Sequence, residues 1–384
     1  MKMKIGLVCP YNITKHGGVL EVVLALEEGL IELGHDVKII TPKPRNHELP
    51  DQPNVIFMGN STDFRSPAST TTQVSSTDDG EKIDAILAKE KFDILHFHEP
   101  WVPLLSRQLL QRSTSVNIAT FHSKVPEALM TRTVIRVVTP YLRSVMKYLH
   151  ELTAVSPSGA AYAAGLTDEP ITIIPNGIDL VKYKSSKPTV KKKENERSIL
   201  FIGRLERRKG VKYLLRAFQL FSQDNPDVKL IIAGDGPERE KLELLTEDLK
   251  LKNVSFLGYI SEELKLQLLA EADIFCSPAI FGESFGIVLL EAMAMGTVVV
   301  AGNNSGYTDL MQGTGAMSIV NPEDTAEFAR RLETLIYEKE LREIWKKWAK
   351  QYVKQYNYPN VVKQYEVFYR HALKEHHGEI RATT

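Results

Sequence analysis

Strand-like apolar runs alternate with helix-length amphipathic stretches along this chain, and the series starts twice. The first series comprises KIGLVCP (4–10), DVKII (36–40), FDILHFH (92–98), VNIATFH (116–122), LTAVS (152–156) and ITIIP (171–175), with an amphipathic stretch at 19–34. The second comprises SILFIGR (198–204), VKLIIAG (228–234), NVSFLG (253–258), DIFCSP (273–278), TVVVAG (297–302) and AMSIV (316–320). Helical patterns open near Gly210, Pro237, Ser261 and Ser284. Short runs rich in β-branched residues, separated by helices, are what parallel strands buried on both faces require. A chain of 384 residues also exceeds what one core encloses, roughly 250–300 residues. The prediction is an α/β protein of two doubly wound, Rossmann-like domains with a cleft between them. The polar, basic stretch KYKSSKPTVKKKENER (182–197) reads as the linker, so the domains span 1–182 and 198–355. Arg45 to Asp79, rich in Pro, Ser and Thr, reads as a surface loop. The chain is helical from about Pro322 on, and after Pro359 an apolar stripe of Val361, Val362, Tyr365, Phe368 and Tyr369 marks a packed helix.

Composition narrows the function. Lys+Arg and Asp+Glu are both 48, so no net positive charge recruits nucleic acid. The two cysteines, Cys9 and Cys276, lie in different halves inside strand-like runs, which fits a reducing cytoplasm better than a disulfide. The first apolar run stops at Pro10 and reads as a strand rather than a signal segment. No run approaches the ~20 apolar residues of a membrane span, so membrane contact is expected to be peripheral.

The stretch GESFGIVLLEAMAMGTVVVAG (282–302) places Glu283 and Glu291 among small and apolar residues. Burying a carboxylate there is costly unless it is paired or hydrogen-bonded. With a helix opening near Ser284, the two carboxylates lie about 12 Å apart along the axis and roughly 80° apart around it. That separation does not suit one metal ion. It suits two ends of an elongated polar ligand, with Ser284, Phe285, Gly286 and Ile287 at the anion-binding end of the helix. The same spacing also fits a buried helix with one capping and one surface glutamate. In FIGRLERRKG (201–210), Arg204 and Lys209 follow a strand and can clamp a diphosphate, although such a turn is also a common solvated basic turn. Gly17 and Gly18 open the helix after the first strand. His122 ends a strand, where either a site residue or a structural histidine fits. His96 and His98 alternate on another strand, with no third ligand at zinc spacing, so no metal site is predicted. GDGPERE (234–240) is not a dinucleotide fingerprint.

Taken in order, GGV (17–19), NGID (176–179), GR…KG (203–210), GDGPE (234–238), LGY (257–259) and Glu283-x7-Glu291 with its SFG resemble the retaining glycosyltransferases of family 4, which have the GT-B fold. HEPW (98–101), ATFHS (119–123) and GESFGIVLLEAMA resemble, within that family, the bacterial phosphatidylinositol mannosyltransferases. The resemblance implies a metal-independent hexosyltransferase without cofactor, using GDP-mannose or another nucleotide sugar on a lipid or polyol-phosphate acceptor. It implies that Arg204 and Lys209 bind the donor diphosphate, with Gly17 and Gly18 beside it. Glu283, with the Phe285 and Gly286 amides, would hold the donor sugar, Glu291 the ribose, and Leu257, Gly258 and Tyr259 would flank the base. His122 would contact the sugar. It also implies that the last helix, about 359–376, crosses back to the N-terminal domain. The alternatives are a UDP-glucose-type enzyme acting on diacylglycerol or a cell-wall saccharide, and a non-catalytic nucleotide-binding or membrane-surface protein.

Two departures bear on the acceptor. Family members use a basic amphipathic helix ahead of the H-E-P strand to reach anionic lipid; DDGEKIDAILAKEKFD (78–93) has no cationic face. Trp101 stands where a smaller polar residue that holds inositol is expected, and Lys124 is only a nearby candidate for a further basic residue. Tyr11 is a further acceptor candidate. A different stretch, 124–150, carries Arg132, Arg136, Arg143 and Lys147 on one helical face, opposite an apolar one. This is the pattern of a helix lying on an anionic membrane, here the inner face of the cell membrane, and equally of a packed helix with a solvated cationic face. Pro140 is expected to kink or end it.

Overall fold

The computed structural model describes residues 2–13, 17–44, 52–65, 71–76, 80–102, 104–122, 132–185 and 197–382. The chain divides into two compact units, Met1–Gly177 with Tyr358–Thr384, and Ile178–Asn357.

The first unit is built on an eight-stranded sheet of β1 (Lys4–Val8), β2 (Asp36–Lys43), β3 (Val55–Arg65), β4 (Thr71–Ser76), β5 (Ile94–His98), β6 (Val116–Phe121), β7 (Glu151–Ala154) and β8 (Ile171–Ile173). Their order is β4-β3-β2-β1-β5-β6-β7-β8. All pairings are parallel except β3–β4, which is antiparallel from Asn60↔Ser76 to Arg65↔Thr71. The central strands β1, β5 and β6 are buried almost throughout, as apolar runs without alternation require.

The second unit carries β9 (Arg197–Ile202), β10 (Val228–Ala233), β11 (Val254–Gly258), β12 (Ile274–Ser277), β13 (Val298–Gly302) and β14 (Ile319–Val320). The order is β11-β10-β9-β12-β13-β14, parallel throughout.

The last helix, Tyr358–Ala382, belongs to the first unit. Val361, Val362, Tyr365 and Tyr369 are buried in one cluster with Leu20, Val23, Leu26 and Leu30 of the helix Gly18–Glu32, and Phe368 packs against its edge. The i, i+4 repeat of this stripe explains the packing: every such residue returns to the same side of the helix.

Several sequence expectations are corrected. Arg45–Asp79 is not simply a loop, since its described part contains β3 and β4. Their threonines, serines and valine suit a strand, and an antiparallel edge pair needs no apolar run on both faces; residues 45–51, 66–70 and 77–79 lie outside the described residues. Of the stretch read as a linker, Leu180–Ser185 forms a helix, and 186–196 lie outside the described residues. The unit boundary falls at Gly177, inside the NGID motif. Of the two outcomes expected of Pro140, a kink or an end, the end does not occur: the helix runs Arg132–Met146 with Pro140 inside it. The helix expected near Ser284 begins at Ile287.

Candidate active site

In both sheets sequence order reverses at one place. In the first unit it lies between β1 and β5, and in the second between β9 and β12. Connections leave such a switch point in opposite directions, so the carboxyl ends of the two strands open a crevice that helices do not cover. Gly17 follows β1, and Arg204, Lys209 and Glu283 follow β9 and β12, at these two places; His122 follows the neighbouring β6 and Gly258 ends the edge strand β11.

In the second unit, β9 runs into Arg204, then a 3-10 turn, Arg207–Lys209. Gly210 closes the turn at φ 71°, and a Cβ there would lie 2.0 Å from the Pro278 carbonyl oxygen. Only glycine permits both the left-handed backbone and that approach. The turn is fastened to the loop after β12 by Ile280 N–H donating to the Arg208 carbonyl at 2.9 Å. Side chains complete the join. The Glu283 carboxylate receives Arg208 Nη1 at 2.6 Å and Lys209 Nζ at 2.7 Å on the same oxygen, Oε1. Glu206, buried, receives Arg204 Nε at 2.9 Å and Arg208 Nε at 2.8 Å on its two oxygens. Burial works against the Arg208 charge, but Glu283 and Glu206 outweigh it and raise its pKa. Charge-assisted contacts of this kind hold three cations around two carboxylates in one arrangement.

Gly286 precedes the helix Ile287–Met295 at φ 105°, and a Cβ there would come within 2.8 Å of the Tyr307 ring. The tyrosine is fixed in turn by its hydroxyl, 2.8 Å from Ser277 Oγ. The loop Glu283–Gly286 is thereby held close to the strand ends, with Ser284 and Phe285 buried. The first amides of the helix have no partner one turn back, so its start favours an anion.

Glu291 is buried in the second turn of that helix. Its Oε1 accepts from Tyr183 Oη at 2.7 Å and from Lys265 Nζ at 2.8 Å. Burial lowers the Lys265 pKa, and Glu291 and Glu262 more than restore it, for a net rise. The expectation that a bound ligand alone satisfies the two glutamates is thus corrected: protein cations and a tyrosine hydroxyl already hold one oxygen of each. Arg208, Lys265 and Tyr183 were not singled out from sequence. Arg208 adjoins Lys209, but which residue of a three-residue turn faces the carboxylate depends on the turn, and the other two approach from separate helices. Gly258 ends β11 at φ 71°, its carbonyl accepting from Gly234 N–H at 2.7 Å. Tyr259 beyond it is 84% exposed, an open aromatic surface.

In the first unit, Gly17 caps the helix Gly18–Glu32 after β1. The ends of β5 and β6 carry a neutral polar network. His96 has both nitrogens occupied, Nδ1 by Tyr369 Oη at 2.7 Å and Nε2 by Thr120 Oγ1 at 2.6 Å. His98 Nδ1 lies 2.8 Å from His122 Nε2, the two rings stacked at 5.1 Å. Glu99, buried at φ 52°, accepts the His122 backbone N–H at 3.1 Å. Burial pushes His96 down to about 3 and His122 down to about 4, the latter opposed in part by Asn176, and drives His98 well below its ordinary value. All three are neutral near pH 7.

Trp101 packs on Phe121 at 4.9 Å rather than standing as an open polar contact. The Tyr11 carbonyl accepts from Thr41 Oγ1 at 2.8 Å. Arg143, on a helix whose Leu142 and Val145 are buried, and Lys147, just past its end, are exposed. Lys124 and the side chains of Arg132 and Arg136 lie outside the described residues. Among the described residues no helix is long and apolar enough to cross a membrane, and no group of three His, Cys, Asp or Glu is placed to hold a metal ion.

Two doubly wound α/β sheets with charged or polar side chains beyond their strand ends form a ligand-binding architecture, and comparison with known proteins gives its class. Residues 183–352 match the family model "Glycosyl transferases group 1", and residues 16–182 match "Glycosyltransferase Family 4". A phosphatidyl-myo-inositol mannosyltransferase of Mycolicibacterium smegmatis is 31% identical over 341 residues, covering 88% of this chain and 86% of that protein. A sucrose-phosphate synthase from Thermosynechococcus elongatus shares the fold at TM-score 0.77, with 21% identity, covering 97% of this chain and 100% of its own. Anabaena HepE, solved with UDP and glucose, does so at TM-score 0.70, with 18% identity and coverage of 95% and 99%. The chain belongs to glycosyltransferase family 4. It is a glycosyltransferase of GT-B fold, and its curated relatives of about 30% identity are phosphatidylinositol mannosyltransferases.

Proposed function

We propose that the enzyme transfers mannose from GDP-mannose to phosphatidylinositol or a related polyol-phosphate lipid, with retention of anomeric configuration and without a metal ion. The observation that carries the donor half is the ion cluster at the β9/β12 switch point, where Lys209 and Arg208 share one oxygen of Glu283 and Arg204 is held by Glu206. A diphosphate entering there meets cations already oriented, and Glu283 Oε2, which pairs with no cation among the described residues, can accept a sugar hydroxyl. Glu291, with Oε1 held by Lys265 and Tyr183, can accept the ribose hydroxyls through its other oxygen. Gly258 and Tyr259 flank the base.

The acceptor oxygen bonds to the anomeric carbon as the bond from that carbon to the diphosphate oxygen breaks. The hydroxyl proton passes to the departing phosphate. Arg204, Lys209 and the start of the helix Ile287–Met295 stabilise the charge that grows on the leaving group, which is preorganised electrostatic catalysis. His122, neutral, contributes a hydrogen bond rather than a charge. The lipid names of the relatives support the acceptor, with Arg143 and Lys147 exposed to meet anionic headgroups; the enzyme then works at the inner face of the cell membrane.

A second reading, a UDP-glucose-type donor with diacylglycerol or a cell-wall saccharide as acceptor, is favoured by one observation. The bulky Trp101 ring packed on Phe121 replaces the small polar group expected to hold inositol. Thermal-shift titration with GDP-mannose and UDP-glucose, followed by transfer to phosphatidylinositol or diacylglycerol vesicles, separates the two. Stabilisation by UDP-glucose alone, with no mannolipid formed, overturns the first.

A further inference from the structure

His98 lies beneath the proposed reacting residue and makes one contact whose direction is decided by its surroundings. Its ring is fully buried, Nδ1 sits 2.8 Å from His122 Nε2, and Nε2 has no hydrogen-bond partner among the described residues. A neutral imidazole carries its proton on one nitrogen only. With the proton on Nε2, a buried N–H is orphaned, which native interiors almost never tolerate; an unpaired acceptor is the lesser cost. The proton therefore sits on His98 Nδ1 and is donated to His122 Nε2. His122 must then carry its own proton on Nδ1, the nitrogen on the other side of its ring.

The rest of the network keeps this arrangement in place. The His96 ring lies 4.2 Å from that of His98, tilted by 40°, and is itself locked between Tyr369 and Thr120. Tyr365 approaches Thr120 Oγ1 at 3.3 Å, so the last helix fixes the network from behind. Glu99 holds the His122 backbone from the loop after β5.

We infer that His98 is a positioning residue that fixes the tautomer of His122, committing Nε2 as the acceptor of the His98 hydrogen bond and leaving the proton on Nδ1, with Asn176 as the further side chain set against the His122 ring. The inference rests on the proposed role of His122. It makes a specific statement about chemistry: His122 does not act as general base through Nε2.

The test uses the full chain with GDP-mannose and phosphatidylinositol vesicles, and ¹⁵N-histidine NMR. His98→Leu removes the donor and is expected to lower kcat about 10- to 100-fold, a size common for groups that orient a reacting residue, with donor KM changed less than about threefold. His98→Asn places an amide near the Nδ1 position and is expected to restore most of the lost rate. In the wild type the His122 ring nitrogens should report a protonated Nδ1 and a bare Nε2; in His98→Leu they should become an exchanging mixture. His122→Ala serves as the reference. If His122→Ala is as active as wild type, the role of His122 fails and this inference with it. If His122→Ala is impaired while His98→Leu keeps both full kcat and the wild-type His122 spectrum, the role of His122 stands and the positioning by His98 is overturned. Should His98→Leu not fold, an unimpaired His98→Asn beside a wild-type spectrum with the proton on His122 Nε2 overturns it equally.

Discussion

The two units use one architecture in opposite electrostatic ways. At the β1/β5 switch point the first unit gathers imidazoles and hydroxyls that burial keeps neutral, with His96, His98 and His122 all shifted down. At β9/β12 the second unit gathers formal ions, with Arg208 held charged by Glu206 and Glu283 despite its burial. The difference lies in partners. An imidazole whose ring nitrogens meet hydroxyls or another imidazole loses hydration without gaining a counter-charge and gives up its own, whereas a guanidinium between two carboxylates keeps it. The first unit is thereby suited to hydrogen-bond uncharged hydroxyls, the second to bind a polyanion.

The largest expected effect breaks the ionic half. Lys209→Ala should lower transfer about 10²- to 10³-fold, the loss typical of removing one group that stabilises transition-state charge, while the urea midpoint moves little because Arg208 still pairs Glu283. Radiolabelled sugar transfer measures it; an unaffected rate would remove the ion cluster from the reaction.

Acid probes the neutral half. Its three histidines have folded pKa values below the unfolded value near 6.5, so the unfolded state binds more protons at low pH. Their neutrality costs nothing above about pH 6.5, and stability falls as pH drops from there toward about 4 for His122 and about 3 for His96. Each contributes up to about 1.4 kcal/mol per pH unit in that window. Urea midpoints from pH 7 to 5 should decline accordingly, and a flat profile contradicts a buried neutral cluster.

Smaller effects sharpen the contrast. Lys265→Met should raise donor KM about tenfold with kcat nearly unchanged, because it loosens Glu291 and leaves the leaving-group cations alone; steady-state kinetics at saturating acceptor shows it. Arg143→Ala with Lys147→Ala should weaken binding to anionic vesicles by about 1 kcal/mol per cation, leaving the melting temperature unchanged, as co-sedimentation and thermal denaturation would show. Equal binding to neutral and anionic vesicles separates these cations from lipid.

Legibility followed the range of the forces. Doubled strand–helix alternation, the turn after β9 and the helix after Glu283 are local patterns and were readable. So was the stripe Val361, Val362, Tyr365, Tyr369, because one helix face repeats at fixed spacing. The polar pair β3–β4 was not, since Thr and Ser in an antiparallel edge pair look like a loop. The helix start at Ile287 was misplaced because Gly286 is held left-handed by close contact with Tyr307, a residue from beyond the next strand.

The sequence by itself determined that this chain forms two α/β units, that Arg204, Lys209, Glu283 and His122 stand beyond strand ends and that Glu291 lies in a following helix, since periodicity and turn chemistry act over a few residues. Tertiary structure alone decided what each touches: Arg208 on Glu283, 75 residues away, Lys265 and Tyr183 on Glu291, and His98 on His122, 24 residues apart. Such pairings join strand ends and helices that are far apart in sequence, and no local pattern records which side chains will meet there.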